Sequence, residues 1–258
     1  MIEESTLRSL HVEAMRREDL YAGHDDHALF QASTVTALLD GAYDGDLTFA
    51  ELAREGDTGL GTLNGLDGEM IAIDGSFHRA DADGRLTGID PTEGTPFAVV
   101  TRFRAEREFD LEARHDLAGL EACLDADRDE SPVAAYRIEG RFTSMLARSV
   151  PRQERPYRPL ASVVSEQNVF ELGPVEGTLI GFRFPAWAEG VEIGGYHFHF
   201  ADRERRVGGH VLDLALETAR IRVQHAKELH VELPPGLELG SPDLAAETHA
   251  AISRVEHG

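Results

Sequence analysis

The segment Tyr196-His197-Phe198-His199-Phe200 alternates aromatic and imidazole side chains one for one. A strand sends successive side chains to opposite faces, so both histidines share one face and the three aromatic rings fill the other. Downstream, Ala201 to Val207 is polar and Gly208-Gly209 permits a tight return, so His210 opens a second strand able to pair antiparallel with the first. Side chains directly opposite on such a pair lie about 4.5 to 5.5 Å apart at Cβ. That spacing suits three imidazole nitrogens converging on one ion at about 2.0 to 2.1 Å. Three histidines with an open position describe a catalytic zinc-type site; the structural alternative is a set of half-buried histidines bonded to their neighbours.

The same strand grammar recurs along the chain. Asp67-Gly68 turns into Glu69 to Ile73, which the next Asp-Gly pair, Asp74-Gly75, closes. Strands are also expected at Pro96 to Phe103, Val133 to Phe142, Gly177 to Phe184, Gly194 to Phe200, Gly209 to Leu216, Ile221 to His225 and Leu229 to Leu233. Helices are fewer. Ser33 caps one through Leu39 with Gly41 as its stop, Thr48 and Glu51 stand in capping-box spacing for a second ending at Gly56, and Asp110 to Asp127 has helical leucine and alanine spacing. Ser241 and Pro242 open a last helix running toward Val255. Tyr43 to Asp46 reads as a turn, and the proline-studded segment 151–159 as an extended surface crossing. The glycines at 56, 59 and 61 do not make a dinucleotide fingerprint, because Asn64 stands where the third glycine belongs.

These elements predict an α+β chain of two β-rich halves, with mixed or antiparallel sheets, few helices and the metal site on a hairpin in the C-terminal half. The divisions are an N-terminal extension at 1–24, a sheet-rich half at 25–146, and a metal-binding half at 147–258 that carries the C-terminal helix.

Composition narrows the chemistry. A net charge of -22 over 258 residues repels phosphate backbones and anionic headgroups, which argues against nucleic-acid and membrane-surface roles. No apolar run approaches the length of a membrane span. The acidic start, Met1 to Ser5, lacks the apolar core of a secretory signal, so a cytoplasmic location is expected. Cys123 is the sole cysteine, so a metal would use histidine and carboxylate ligands. Lys227 is the sole lysine among 25 basic residues, which disfavours imine and pyridoxal chemistry.

Glu69 has the strand parity of Ile71 and Ile73, and a carboxylate on an apolar face is costly unless paired or bound to a cation. A rival metal set exists: His197, His199 and Glu204 have the spacing of the first cupin motif, although Val191 occupies the position of its glycine. His225 and His230 read as structural or surface residues, and Asp40, Asp44 and Asp46 as turn formers.

Several ordered blocks resemble the acetolactate decarboxylase family. They are Phe30 to Thr34 with Ala37-Leu38, Gly59 to Thr62, Leu66 to Met70, Arg148 to Gln153 with Pro156-Tyr157, and Gly195 to Phe200 followed by Gly208 to His210. The resemblance spans roughly residues 28 to 256. It implies zinc on His197, His199 and His210, with Glu69 near or on the metal, Arg148 beside the substrate, Thr62 on the substrate side, and a C-terminal glutamate, mapped to Glu256, reaching the site. It further implies a homodimer and a two-part body with the metal in the C-terminal half. The implied reaction is metal-dependent decarboxylation of 2-acetolactate to acetoin and carbon dioxide, with the metal stabilising an enediolate that is then protonated on one face. Alternatives are a cupin-like oxygenase or isomerase using Glu204, and a non-catalytic small-molecule binding module. This sequence departs from the family pattern at Glu192-Ile193-Gly194 and at Ser144 to Ala147. Activity is expected to fall in mildly acidic solution as ordinary histidines protonate.

Overall fold

Short apolar runs closed by tight turns produce strands along most of the chain in the computed structural model, which describes residues 11–15, 27–126 and 132–233. One sheet is mixed, with the order β1 (His11–Met15), β17 (Glu228–Glu232), β2 (Ala28–Ala32), β9 (Ala98–Thr101), β4 (Thr58–Thr62), β5 (Glu69–Ile73), β6 (Ser76–Ala80), β7 (Leu86–Gly88). Its first three strands run parallel and the rest antiparallel. The second sheet is antiparallel, with the order β10 (Arg107–Leu111), β16 (Gly208–His225), β15 (Gly195–Asp202), β14 (Val175–Phe184), β12 (Ala134–Ser149), β13 (Asn168–Leu172), and β11 (His115–Asp116) adds to β16. Because β12 also pairs with β16, strands β12, β14, β15 and β16 close on one another. A two-residue ribbon joins β3 (Leu47–Thr48) to β8 (Gly94–Thr95).

Strand alternation sorts the core into layers. Ile71, Ile73, Leu60 and Val99 of the mixed sheet face Ile180, Phe182 and Ala201 of the antiparallel sheet across a shared interior. The opposite parity, Met70, Ala72 and Val100, packs beneath helix α2 (Phe49–Glu55). Phe198 and Phe200 turn the other way from Ala201, into a cluster closed by Leu120 and Leu124 of α3 (Leu117–Ala126). Helices α1 (Val35–Leu39) and α4 (Leu160–Val164) add Val35, Leu38, Leu160 and Val163 to the inter-sheet layer.

The expected class holds: β-rich, few helices, one mixed and one antiparallel sheet. The capping box of Thr48 and Glu51 forms, and Asp74 and Gly75 both adopt positive φ to turn β5 into β6. Several boundaries differ. Thr34 rather than Ser33 caps α1, since Ser33 is left-handed at φ 64°. Residues 107–111 and 115–116 extend along β16, so the third helix starts only at Leu117. β16 is one strand through both segments expected separately, and β12 continues past Phe142 to Ser149. Residues 43–46 form no hydrogen-bonded turn, and Thr58–Thr62, read only as a glycine-rich stretch, is a fully buried strand. Residues 146 and 147 are neighbours within β12, and each sheet draws strands from both sides of that point. Within the expected N-terminal extension, His11–Met15 pairs with β17 at the edge of the mixed sheet. The helix expected from Ser241, and Glu256 with it, lies outside the described residues. Among the described residues no helix is long and apolar enough to cross a membrane.

Candidate active site

Two cross-strand rows face each other between the sheets. On the antiparallel sheet His210 is the register partner of Arg148 on one side and of His199 on the other, so Arg148, His210 and His199 form a row across three strands. His197 lies two residues along β15 on the same face. On the mixed sheet Thr62 and Glu69 are direct partners on β4 and β5. All six side chains are buried. The parity that puts Ile71 between the sheets carries Glu69 there too, and the parity that sends Phe198 outward turns His197 and His199 inward.

The three imidazoles converge. His197 Nε2 lies 3.1 Å from His210 Nδ1, and ligand atoms of His197, His199 and His210 all fall within 4.8 Å of one another. Two ligands at about 2.0 to 2.1 Å from a tetrahedral ion would sit about 3.3 Å apart, so the spacing fits one cation. His199 Nδ1 is 2.8 Å from the Met70 carbonyl and donates to it, which leaves Nε2 with its lone pair facing inward. That Nε2 has no hydrogen bond among the described residues and lies 3.5 Å from Glu69 Oε2. A buried imidazole nitrogen with such a lone pair can ligate a metal ion. Arg148 Nη1 reaches Glu69 Oε1 at 3.3 Å, linking the two rows.

Burial sets the protonation states. Desolvation pushes His199 down to about 3, only partly offset by its bond to Met70, and holds His197 well below the ordinary histidine range with help from His199 and Arg148. Both rings are therefore held in the neutral form that can ligate, below the range of an ordinary histidine. Desolvation pushes the Glu69 carboxyl up to about 7, against the opposing pull of Arg148.

Around this polar floor the walls are apolar. Val35, Leu38 and Leu39 of α1, with Phe97, Leu160 and Ile193, line a cavity of about 570 Å³, open space at its mouth included. A cavity with apolar walls and a few convergent polar groups suits a small, compact ligand. The structure thus brings together six of the seven residues singled out from the sequence, Thr62, Glu69, Arg148, His197, His199 and His210. Arg148, placed by sequence beside the proline-rich segment, is at the buried end of β12. Glu204 is solvent-exposed and paired with Arg206 at 3.3 Å, outside the histidine group, which removes the ligand a cupin-like site requires. His225 and His230 bond to Glu106 and Glu228. Sequence reasoning missed two features: the Met70 carbonyl that orients His199, and Glu192, whose Oε1 lies 3.9 Å from His197 Nδ1. The available signal for the second was a glutamate set between Val191 and Ile193.

Fold and site together define a β-rich α+β protein with a buried three-histidine group able to hold a metal ion. The sequence profile of the alpha-acetolactate decarboxylase family matches residues 29–245. The chain is 43% identical over 236 residues to alpha-acetolactate decarboxylase from Methylococcus capsulatus, covering 91% of each chain. It is 42% identical over 229 residues to that from Methanosarcina mazei, covering 88% of this chain and 80% of the relative. The crystal structure of alpha-acetolactate decarboxylase from Bacillus subtilis strain 168 superimposes with a TM-score of 0.84 at 34% identity, over 90% of this chain and 100% of that one. This chain belongs to the alpha-acetolactate decarboxylase family, and it is an enzyme of the carboxy-lyase class.

Proposed function

We propose that this protein decarboxylates 2-acetolactate to acetoin and carbon dioxide at the site between the sheets, with a divalent cation, zinc by preference, held by His197, His199 and His210. The observation that carries the proposal is the convergence of three buried imidazoles opposite Arg148 and Glu69 in an otherwise apolar cavity. When bound, the cation supplies Lewis-acid positive charge beside the oxygens on which negative charge grows.

The chain's own residues supply the rest. In the reaction the bond from the carboxylate to the carbinol carbon breaks, its electron pair moves toward the neighbouring ketone oxygen, and that carbon then takes up one proton. Arg148, fixed by Glu69 and by its strand, holds the substrate carboxylate or the developing oxyanion, for which a planar guanidinium is suited. Thr62 donates its hydroxyl proton to the Gly68 carbonyl, which leaves its oxygen as an acceptor on the cavity wall. The apolar walls take the two methyl groups and exclude water from the forming carbanion equivalent. Protonation falls to Glu69, Arg148 or Glu256, and delivery from one side sets the handedness of the product. Homodimer formation is implied by the family resemblance and belongs to this proposal.

The test is an assay of the purified protein with racemic 2-acetolactate, following acetoin and metal content together. Acetoin should form in proportion to bound divalent metal. Turnover that survives exhaustive metal removal would overturn the metal-dependent reading, and metal binding without carbon dioxide release would favour a binding module instead.

A further inference from the structure

Residues 190–193 reach the site from a loop rather than a strand. The loop leaves a 3-10 turn at Ala186–Ala188 and is clamped to the start of α1. The Val191 carbonyl accepts from Val35 N at 3.0 Å and from Gln31 Nε2 at 2.7 Å, while the Gly190 carbonyl accepts from the Thr36 hydroxyl at 2.8 Å. Glu192 N donates back to the Ala188 carbonyl at 3.0 Å. These bonds fix the backbone leading into Glu192, whose side chain is 1% exposed and stands behind the His197 ring.

His197 has an inward and an outward nitrogen. Nε2 faces His210, whereas Nδ1 lies 3.9 Å from Glu192 Oε1 and makes no hydrogen bond among the described residues. His199 shows the same polarity, with its Nδ1 already satisfied by Met70. A neutral imidazole carries one donor and one acceptor nitrogen, so whatever accepts from Nδ1 dictates that Nε2 keeps its lone pair.

We propose that Glu192 is a positioning residue for His197. Its carboxylate accepts the Nδ1 proton, through a shift of about 1 Å or through one water, and so fixes the ring with Nε2 aimed at the cation. The proposal rests on the metal-dependent reading above. A carboxylate behind a ligating histidine also raises the ring's basicity, and loss of such a partner typically costs about 10- to 100-fold in metal affinity. The buried acid and the cation stand on opposite sides of one ring, which lowers the cost of burying each.

The full-length protein and its Glu192→Ala and Glu192→Gln variants should be compared for zinc affinity by chelator competition, for the visible spectrum of the cobalt-loaded form, and for unfolding of the metal-free form. The alanine variant is expected to bind zinc about 10- to 100-fold more weakly and to show a displaced cobalt spectrum. The glutamine variant, which keeps an oxygen acceptor without the charge, should recover most of the affinity while unfolding like the parent when metal-free. Equal zinc affinity and an unchanged cobalt spectrum in both variants, beside a parent that binds one zinc per chain, overturn the role of Glu192 and leave the metal site standing. A parent that binds no stoichiometric divalent cation overturns both.

Discussion

His199 and Arg148 sit on either side of His210 in one cross-strand row, yet the chemistry asked of them differs. His199 presents a buried lone pair, so His199→Ala should lose both bound metal and turnover. Arg148, on the proposed mechanism, holds the substrate carboxylate or the developing oxyanion, so Arg148→Ala should keep the metal while kcat/KM falls by about 100- to 1,000-fold. Equal metal loss in the two variants, measured by elemental analysis after gel filtration, would contradict the division of roles. Burial of His199 has a further cost that pH reveals in the metal-free protein. Its folded pKa is depressed from 6.5 to about 3, so between those values the unfolded chain binds a proton the folded chain refuses. Stability from this group is fully present above about pH 6.5 and is lost as pH falls toward 3. Relative to a His199→Asn variant, the metal-free parent should therefore lose about 1.4 kcal/mol per pH unit between about pH 5.5 and 4. Denaturant midpoints that track each other across that range would show that the ring is not held neutral.

Among the elements, the histidine hairpin is the most exacting, because its turn must place His210 opposite His199. Gly208 pairs with Ala201 two residues before that partnership, and a Cβ at Gly208 would lie 2.2 Å from the Phe200 carbonyl oxygen. Backbone cannot yield there as a flexible side chain could. Gly208→Ala should cost about 1 to 3 kcal/mol and weaken metal binding together, read by denaturant unfolding with and without zinc. This hairpin was legible in the sequence because strict alternation survives in it from Tyr196 to Phe200. The long strands were not: the pairing of β12 with β16 leaves an extra residue at Thr143 on β12 and at Leu212 and Glu217 on β16, and each bulge breaks the period of two on which a strand is recognised. Hence the expected strand stopped at Phe142, short of the end of β12 that bears Arg148. Asp110 and Leu111 read as the start of a helix because Glu112, Ala113 and Arg114 favour one locally, while the pairing with β16 that overrides them joins residues more than a hundred positions apart. Glu192 was hidden for the same reason, since the bonds that set its loop come from Gln31, Val35 and Thr36.

At the scale of the whole molecule, the halves of the chain are interleaved rather than placed side by side. The mixed sheet takes β17 from the C-terminal side between β1 and β2, and the antiparallel sheet takes β10 and β11 from the N-terminal side. The inter-sheet core is built from both, with Leu60 and Ile71 packed in one cluster with Ile180 and Phe182. Neither sheet is complete without strands from both halves, and the candidate site draws Thr62 and Glu69 from one sheet and the three histidines from the other. Unfolding should then be a single cooperative transition. Trp187, the sole tryptophan, packs against the inter-sheet cluster and reports on that interior by fluorescence, while circular dichroism reports on both sheets. The two signals should share one midpoint, and saturating zinc should move both together, by about 4 kcal/mol when free metal exceeds Kd a thousandfold. Two separated transitions, with only the later sequence half responding to zinc, would mean that the chain folds as two independent units and that the interleaving does not govern its stability.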